Sequence, residues 1–493
     1  MSAAQPIGAP ARTWSPQQQA VFEAVADPSE DAPHLVVEAL AGTGKTTTIV
    51  EALRHVRQGP ILMVAFNKAI AEELAERVPP SVQVQTLHSF GLRAITRSHG
   101  RRPIDKEGTH ERKRIERVTG DTNWHTREGR VTIGKVVSLA KGALLDAEPD
   151  VLDEAADAAD IAFPDDEKVW PRSRILRAAC VVLNETREDT EGPVGFDDMV
   201  WLPIAQRLPL PSYRWVFVDE TQDLNPAQLE TVVRASGSRG RICAIGDRRQ
   251  AIYGFRGADV RAIPRMIERL QAEVLPLSVT YRCPVSVTRE AQRLVPAISA
   301  APNAPEGVVR TCSEDAMRSG AVAGDFVISR TNAQLISECL KWIAAGKRAR
   351  IRGREIGAGL AQWVKGTKAD EIDELLRLLG AWETRETQRL TRAGRDTRAI
   401  EDRAACLRVL CESCGTVREL LEKIELLFAE AHGPAIHLMS THKAKGLEAN
   451  RVWLLRDTYC KWSGAEEDNL LYVGITRAKR ELIYVREPKE VVT

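Results

Sequence analysis

The sequence predicts an α/β protein built from two parallel-sheet cores. Short β-branched runs recur along the chain, each followed by a turn-rich or polar stretch and then a helical pattern. The runs fall into two clusters, and helix-rich, highly charged sequence separates the clusters. At 493 residues the chain is also too long for one hydrophobic core.

In order, the first cluster comprises Leu35–Glu38, Ile61–Ala65, Val82–Thr86, Trp215–Val218 and Arg241–Ile245. The second comprises Phe326–Ser329, Ile436–Ser440, Val452–Leu455 and Leu482–Val485. Between them, residues 98 to about 210 and 366–432 have a charged, helical pattern. Residues 146–167 hold ten acidic side chains and no basic one, whereas 341–354 (KWIAAGKRARIRGR) hold six basic and no acidic one. The first reads as a solvated surface, and the second as either a solvated face or a nucleic-acid contact.

Composition excludes several classes. The chain is 43% hydrophobic with 69 Lys+Arg against 68 Asp+Glu, a net charge of +1, which rules out intrinsic disorder. Its 33 Gly and 25 Pro follow no period. No apolar run approaches the length of a membrane span, and the first thirteen residues lack the apolar centre of a secretory signal, so a cytoplasmic location and no membrane partner are expected. Nine scattered Cys fit reduced thiols. Cys406, Cys411 and Cys414 lie close together but lack an evident fourth metal ligand.

The strongest local signal is Ala39-Leu-Ala-Gly-Thr-Gly-Lys-Thr46, placed between a predicted strand and the helical run Thr46–Val56. Glycines let backbone N–H groups close around phosphates, and the following helix N-terminus favours negative charge. Ala41, Gly42, Thr43, Gly44, Lys45, Thr46 and Thr47 are therefore the candidate nucleotide cradle, with Lys45 reaching the β/γ-phosphates and Thr46 binding Mg²⁺. The apolar strand Trp215–Val218 ends in Asp219-Glu220. One carboxylate, Asp219, can join the Mg²⁺ shell, and Glu220 can orient or deprotonate an attacking water. Together the two motifs predict a Mg²⁺-dependent NTPase.

Four further stretches narrow this expectation. They are Gly246-Asp-Arg-Arg-Gln250-Ala-Ile-Tyr253-Gly-Phe255-Arg256-Gly257, Thr280-Tyr281-Arg282, Ser440-Thr-His442-Lys-Ala-Lys445-Gly-Leu-Glu448 and Tyr472-Val-Gly-Ile-Thr476-Arg477. In order and content they resemble motifs III to VI of the UvrD/Rep/PcrA-like superfamily 1A DNA helicases. Phe66-Asn67-Lys68 and Thr86-Leu87-His88-Ser89-Phe90 resemble motifs Ia and Ib. The wording is most similar to the F-box DNA helicases and small phage or bacterial UvrD-like proteins.

The resemblance implies two RecA-like P-loop NTPase cores with inserted helical accessory subdomains. Residues 1–97 and 211–275 would form core 1A, with 98–210 as its insertion 1B. Residues 276–354 and 433–493 would form core 2A, with 355–432 as a reduced 2B. It further implies 3′ to 5′ movement on single-stranded DNA or at single-strand/duplex junctions, with a nuclease or a replication or repair factor as possible partner. A DNA-stimulated ATPase switch without processive unwinding is the alternative.

Site roles carry over position by position. Gln18, within Trp14-Ser-Pro-Gln-Gln18, would read adenine through its amide, although Gln17 and Gln19 adjoin it. Tyr281 would stack on adenine, Glu448 would approach the ribose and Gln250 would sense the γ-phosphate. Arg282 and Arg477 would bring positive charge to the γ-phosphate. Phe66, Tyr253 and Phe255 would meet bases, helped by Arg256, and Phe90 would help line the track, with core packing as the alternative for each aromatic; Asn67, Thr86, His88 and His442 would be DNA contacts. Because the interval from Arg282 to Ser440 leaves little room for a 2B subdomain, weak unaided strand separation is expected.

Overall fold

A computed structural model describes residues 13–57, 59–120, 127–159, 161, 163–164, 169–252, 261–392, 396–429, 433–459 and 464–486. Six strands form the first sheet: β1 (Leu35–Ala39), β2 (Ile61–Ala65), β3 (Val82–Thr86), β4 (Trp215–Val218), β5 (Arg241–Gly246) and β6 (Glu273–Leu277), in the order β3-β2-β4-β5-β1-β6. Two short strands follow, β7 (Val279–Thr280) and β8 (Ser299–Ala300), which pair with each other. The second sheet holds β9 (Val308–Cys312), β10 (Phe326–Ser329), β11 (Ala349–Ile351), β12 (Ile436–Ser440), β13 (Ala449–Leu455) and β14 (Ala478–Val485), in the order β11-β12-β10-β13-β14-β9. Every strand pair in both sheets is parallel.

The interior strands are continuous apolar runs because helices cover both faces of each sheet. β2, β4, β5 and β10 are buried at every position. Five strands were not anticipated from sequence: β7 and β8 form the separate pair, and β6, β9 and β11 all lie at edges of the two large sheets. β6 carries Pro276, which an edge tolerates because no neighbour needs its missing N–H. β11 lies inside the basic stretch 341–354.

Two helical insertions interrupt the sheets. Helices Thr109–Thr119, Arg127–Ala143, Pro149–Ala158, Arg172–Glu188 and Phe196–Ala205 separate β3 from β4. They enclose a hydrophobic core of their own around Ile133, Val137, Trp170, Ile175, Leu183 and Trp201. Within it, Arg172 pairs with Asp153 and with Asp157 (2.7 Å), so part of the acidic stretch is neutralised locally.

The second insertion runs between β11 and β12 as helices Arg354–Thr367, Ile372–Arg392, Arg398–Cys411 and Val417–Phe428. It has no separate core. Leu375, Leu379, Leu407, Leu410, Leu420 and Ile424 join one cluster with Leu335, Trp342, Ile351 and Leu438 of the second sheet layer. Cys406 and Cys411 are buried in that same cluster and Cys414 packs against it, which gives the three thiols a packing role.

Candidate functional site

Parallel strands deliver ligand-binding loops at their carboxyl ends. β4, β5 and β1 are adjacent in the first sheet, so the segments that follow them converge. After β1 comes the phosphate loop. Gly44 (φ 83°) leads into helix Lys45–His55, and Gly42 (φ 74°) turns the loop where a side chain could not fit. A Cβ on Gly42 would stand 2.5 Å from Thr280 Oγ1 and 2.6 Å from Arg282 Cβ. The loop is thus wedged against the segment that opens the second core.

After β4, Thr46 Oγ1 donates to Asp219 Oδ2 at 3.3 Å. Glu220 adopts a left-handed backbone conformation (φ 51°), unusual for a residue with a side chain. Gln222 Nε2 donates to the Glu220 carboxylate, while Gln222 Oε1 accepts the Asp247 N–H at 2.9 Å. After β5, Gln250 Nε2 donates to Asp247 Oδ2 at 2.7 Å. Lys45 Nζ donates to the Ala39 carbonyl at 3.2 Å and lies 4.0 Å from Asp247.

Lys45 thus faces the buried Asp219 and Asp247 and the partly buried Glu220. Burial, with Glu220 beside it, pushes Asp219 up to about 7. Burial also raises Asp247 against the pull of Lys45. For Glu220 burial is outweighed by Lys45 and Lys445, and its carboxyl sits below its ordinary value. A hydroxyl and carboxylate oxygens suit a hard divalent cation such as Mg²⁺. Thr46 and Asp219 are the residues that would hold it.

The second core reaches this site at several points. Tyr472 Oη accepts the Ala41 N–H at 2.9 Å, and the Tyr281 N–H donates to the Gly42 carbonyl at 2.8 Å. Lys445 Nζ donates to both Asp223 oxygens (2.7 and 2.6 Å) and to the Gln250 carbonyl (2.8 Å). Burial still raises Asp223 to about 6 in spite of Lys445. Arg477, 1% exposed, donates to the Val473 and Leu447 carbonyls, and its Nη2 lies 3.5 Å from Gln250 Oε1. Burial, then the nearby Arg282 charge, lowers Arg477 to about 10, so it stays cationic near neutrality.

Two expected nucleotide contacts are engaged elsewhere in this structure. Gln18 closes a capping box with Ser15 and donates to Thr48 Oγ1 at 3.0 Å, so its amide buttresses the phosphate loop. Gln17 instead holds Ser278, donating to its Oγ at 3.0 Å and accepting its N–H at 2.9 Å. Glu448, expected at the ribose, pairs with Arg282 Nε at 2.7 Å and Lys479 at 3.0 Å. Tyr281 is 50% exposed and has room to stack on a base. Thr43 folds the loop on itself through the Leu40 carbonyl, and Thr47 lines an open cleft with Trp14 and Arg54.

The expected nucleic-acid residues divide clearly. Phe66, 46% exposed, follows directly from β2. Asn67 and Thr86 cap helices Lys68–Arg77 and Leu87–His99, accepting from Ile70 N and Ser89 N. His88 is half-buried, and burial lowers its pKa. His442 lies on the short helix Thr441–Ala444 after β12. Phe90 is a correction: at 1% exposure it packs with Leu87 and Tyr213 in the first core and cannot meet a base. Tyr253, Phe255 and Arg256 lie outside the described residues.

Sequence reasoning missed Phe196, an exposed aromatic at the start of helix Phe196–Ala205 whose ring meets His88 edge-on at 6.0 Å. It also missed the Lys445–Asp223 bridge. Both residues stood inside recognised stretches, but their pairing spans 222 positions and leaves no local signal.

The structure is thus a mixed α/β protein in which two parallel sheets meet beside the Gly42–Thr47 loop. Residues 15–271 match the UvrD/REP helicase N-terminal domain, and residues 362–486 match the UvrD-like helicase C-terminal domain. The chain belongs to the UvrD/REP helicase family. It is 24% identical to F-box DNA helicase protein 1 of Schizosaccharomyces pombe, over 95% of this chain and 57% of that protein. It is 26% identical to the ATP-dependent DNA helicase Rep of Escherichia coli, over 57% of this chain and 43% of Rep. With the ATP-dependent DNA helicase PcrA of Leuconostoc citreum the identity is 28%, over 46% of this chain and 32% of PcrA. The chain spans about half the length of the curated relatives it matches. Among the described residues no helix is long and apolar enough to cross a membrane.

Proposed function

We propose that this chain is an ATP-driven motor on single-stranded DNA, moving 3′ to 5′, with its two sheets as RecA-like cores. The observation that carries the reading is the set of contacts across the cleft, where Lys445, Tyr472 and Arg477 of one core meet Asp223, Ala41 and Gln250 of the other. A nucleotide seated on Gly42–Thr47 would lie between the two cores. Lys45 would bind the β/γ-phosphates, and Tyr281 would cover the base. Mg²⁺, held by Thr46 and Asp219, would screen phosphate charge. Glu220, oriented by Gln222, would take a proton from the attacking water as oxygen bonds to the γ-phosphorus and the bond to ADP breaks.

Arg477 and Arg282 would balance charge on the transferring phosphoryl group. Gln250 connects that event to the segment bearing Tyr253 and Phe255, and through it to the bases. Thr86 ends β3, and Phe66, Asn67, His88 and His442 follow strand ends at the sheets' carboxyl edges, where a nucleic-acid strand could run across both cores. Movement then comes from alternate closing and release of the cleft.

Because the second insertion is fused to its core, translocation is favoured over unaided unwinding. A nuclease or repair partner would supply the missing strand separation. The test is streptavidin displacement from biotinylated DNA and RNA strands of defined polarity, alongside ATPase with and without single strands. Displacement confined to one DNA end supports a motor. Strong DNA-stimulated ATPase without displacement would instead support a switch subunit.

A further inference from the structure

Helix Ala465–Ile475 carries Arg477 just past its last turn and reaches the first core with one face. Asn469 and Tyr472, three positions apart, stand on that face. Asn469 Nδ2 donates to the Ala251 carbonyl at 3.4 Å, one residue beyond Gln250, and Tyr472 Oη accepts the Ala41 N–H at 2.9 Å, one residue ahead of Gly42. A single helix thus touches the segments that follow both β1 and β5.

The tyrosine has an apolar setting. Its side chain is fully buried, and Ala41 and Ile252 of the first core join Cys283, Leu470, Tyr472 and Val473 in one hydrophobic cluster. Such surroundings would take a phenylalanine ring equally well, so the hydroxyl's contribution lies in its bond to Ala41, which water cannot replace there. The Ala41 N–H also precedes the loop's own phosphate donors. Tyr472 therefore fixes the loop without occupying an N–H of Gly42–Thr47.

Arg477 is tied to the same helix. Its Nε donates to the Val473 carbonyl at 2.9 Å, one of the last-turn carbonyls that a helix leaves open at its end, and its Nη1 donates to the Leu447 carbonyl at 3.2 Å. Any shift of the helix against the loop consequently moves the guanidinium. We propose that Tyr472 is a positioning residue for ATP hydrolysis: its hydroxyl locks this helix to the phosphate loop, so that Arg477 meets the γ-phosphate in register with the loop that holds it. The inference rests on the reading that places Arg477 at the γ-phosphate.

The test is a double-mutant cycle on the full chain, in which Tyr472→Phe, Arg477→Lys and their combination are compared by ATP turnover on saturating oligo(dT), with thermal melting to check the fold. Tyr472→Phe should lower kcat roughly tenfold, near the upper end of what one hydrogen bond contributes. Its KM for ATP should stay within about twofold of wild type, because Lys45 and the loop N–H groups remain. In the Arg477→Lys background the same substitution should change kcat by less than about twofold, a dependence that packing alone would not produce. Should Tyr472→Phe melt well below wild type, the same cycle on Asn469→Ala, at a half-exposed position, decides, with a smaller fall in kcat that again requires Arg477. Unchanged kcat overturns the proposal. An equal factor in both backgrounds also overturns it, by reducing the hydroxyl to support of the fold, and so does a raised KM with intact kcat, by assigning it to nucleotide binding. Wild-type turnover by Arg477→Lys removes the arginine's assignment and this inference together, whereas a slow Arg477→Lys with an unaffected Tyr472→Phe removes only the inference.

Discussion

Lys45 is the only side-chain cation of the phosphate loop, so Lys45→Ala should reduce ATP turnover to background while far-ultraviolet circular dichroism stays native. Retained turnover would displace the site from the loop. Arg477 is held by carbonyls on a fixed fork, a geometry that lysine does not reproduce. Arg477→Lys should therefore lower kcat by at least about 10²-fold with little change in ATP affinity, since arginines in this role are worth roughly 10³- to 10⁵-fold. A different residue sets an acid limit on stability. Burial favours the neutral form of Asp189, but N–H groups of Gly192 and Glu191, His110 and the Arg102 charge outweigh it and bring the carboxyl down to about 2. A depressed folded-state pKa stabilises the protein above the unfolded value near 4, and that stability is lost as pH falls from about 4 toward 2. Urea titrations should find Asp189→Asn less stable than wild type by about 1–2 kcal/mol at pH 7, with the gap closing only below about pH 4. The placement of the Gly42–Thr47 loop after β1 and of Asp219-Glu220 after β4 was legible because each stands in an unbroken stretch after a strand. The partners of Gln18 and Glu448 and the burial of Phe90 were not, because a side chain's partner depends on packing that spacing does not encode.

At the level of elements, strands buried on both faces announced themselves as apolar runs, and β2, β4, β5 and β10 begin and end close to where the residue pattern places them. Edge strands did not. β6 and β9 are largely exposed, and β11 has an arginine at its centre, so none carries the uniform apolar signal that burial imposes. The join between the second insertion and its core was equally hidden. Asp402, on helix Arg398–Cys411, accepts from Asn332 N, Asn332 Nδ2 and Ala333 N at 2.8–3.1 Å, capping helix Asn332–Ala344 from a distant part of the chain. Asp402→Ala should cost about 1–2 kcal/mol of stability, read as a lower urea midpoint, and Asp402→Asn should recover part of it. Nearby, Glu467 receives both Arg330 and Arg398, and its helix Ala465–Ile475 leads directly to Arg477. Arg398→Ala should raise amide exchange in that helix before it changes exchange in either sheet.

For the whole molecule, the near-neutral charge conceals segregated charge, with an acidic stretch at 146–167 in the first insertion and a basic one at 341–354 beside the edge of the second sheet. A motor with its second insertion fused to its core should displace streptavidin from single strands yet separate a long duplex poorly as a dilute monomer. A fluorescence unwinding assay over rising protein concentration checks this, and rapid unwinding at the lowest concentrations would contradict it. The two insertions also differ in modularity. The first encloses its own hydrophobic core, whereas the second completes that of its host. Excising 355–428 would lay bare Leu335, Trp342 and Leu438 on the parent layer, and the truncated product should aggregate. Any recombinant exchange of accessory parts between relatives must therefore carry the second insertion together with the sheet beneath it.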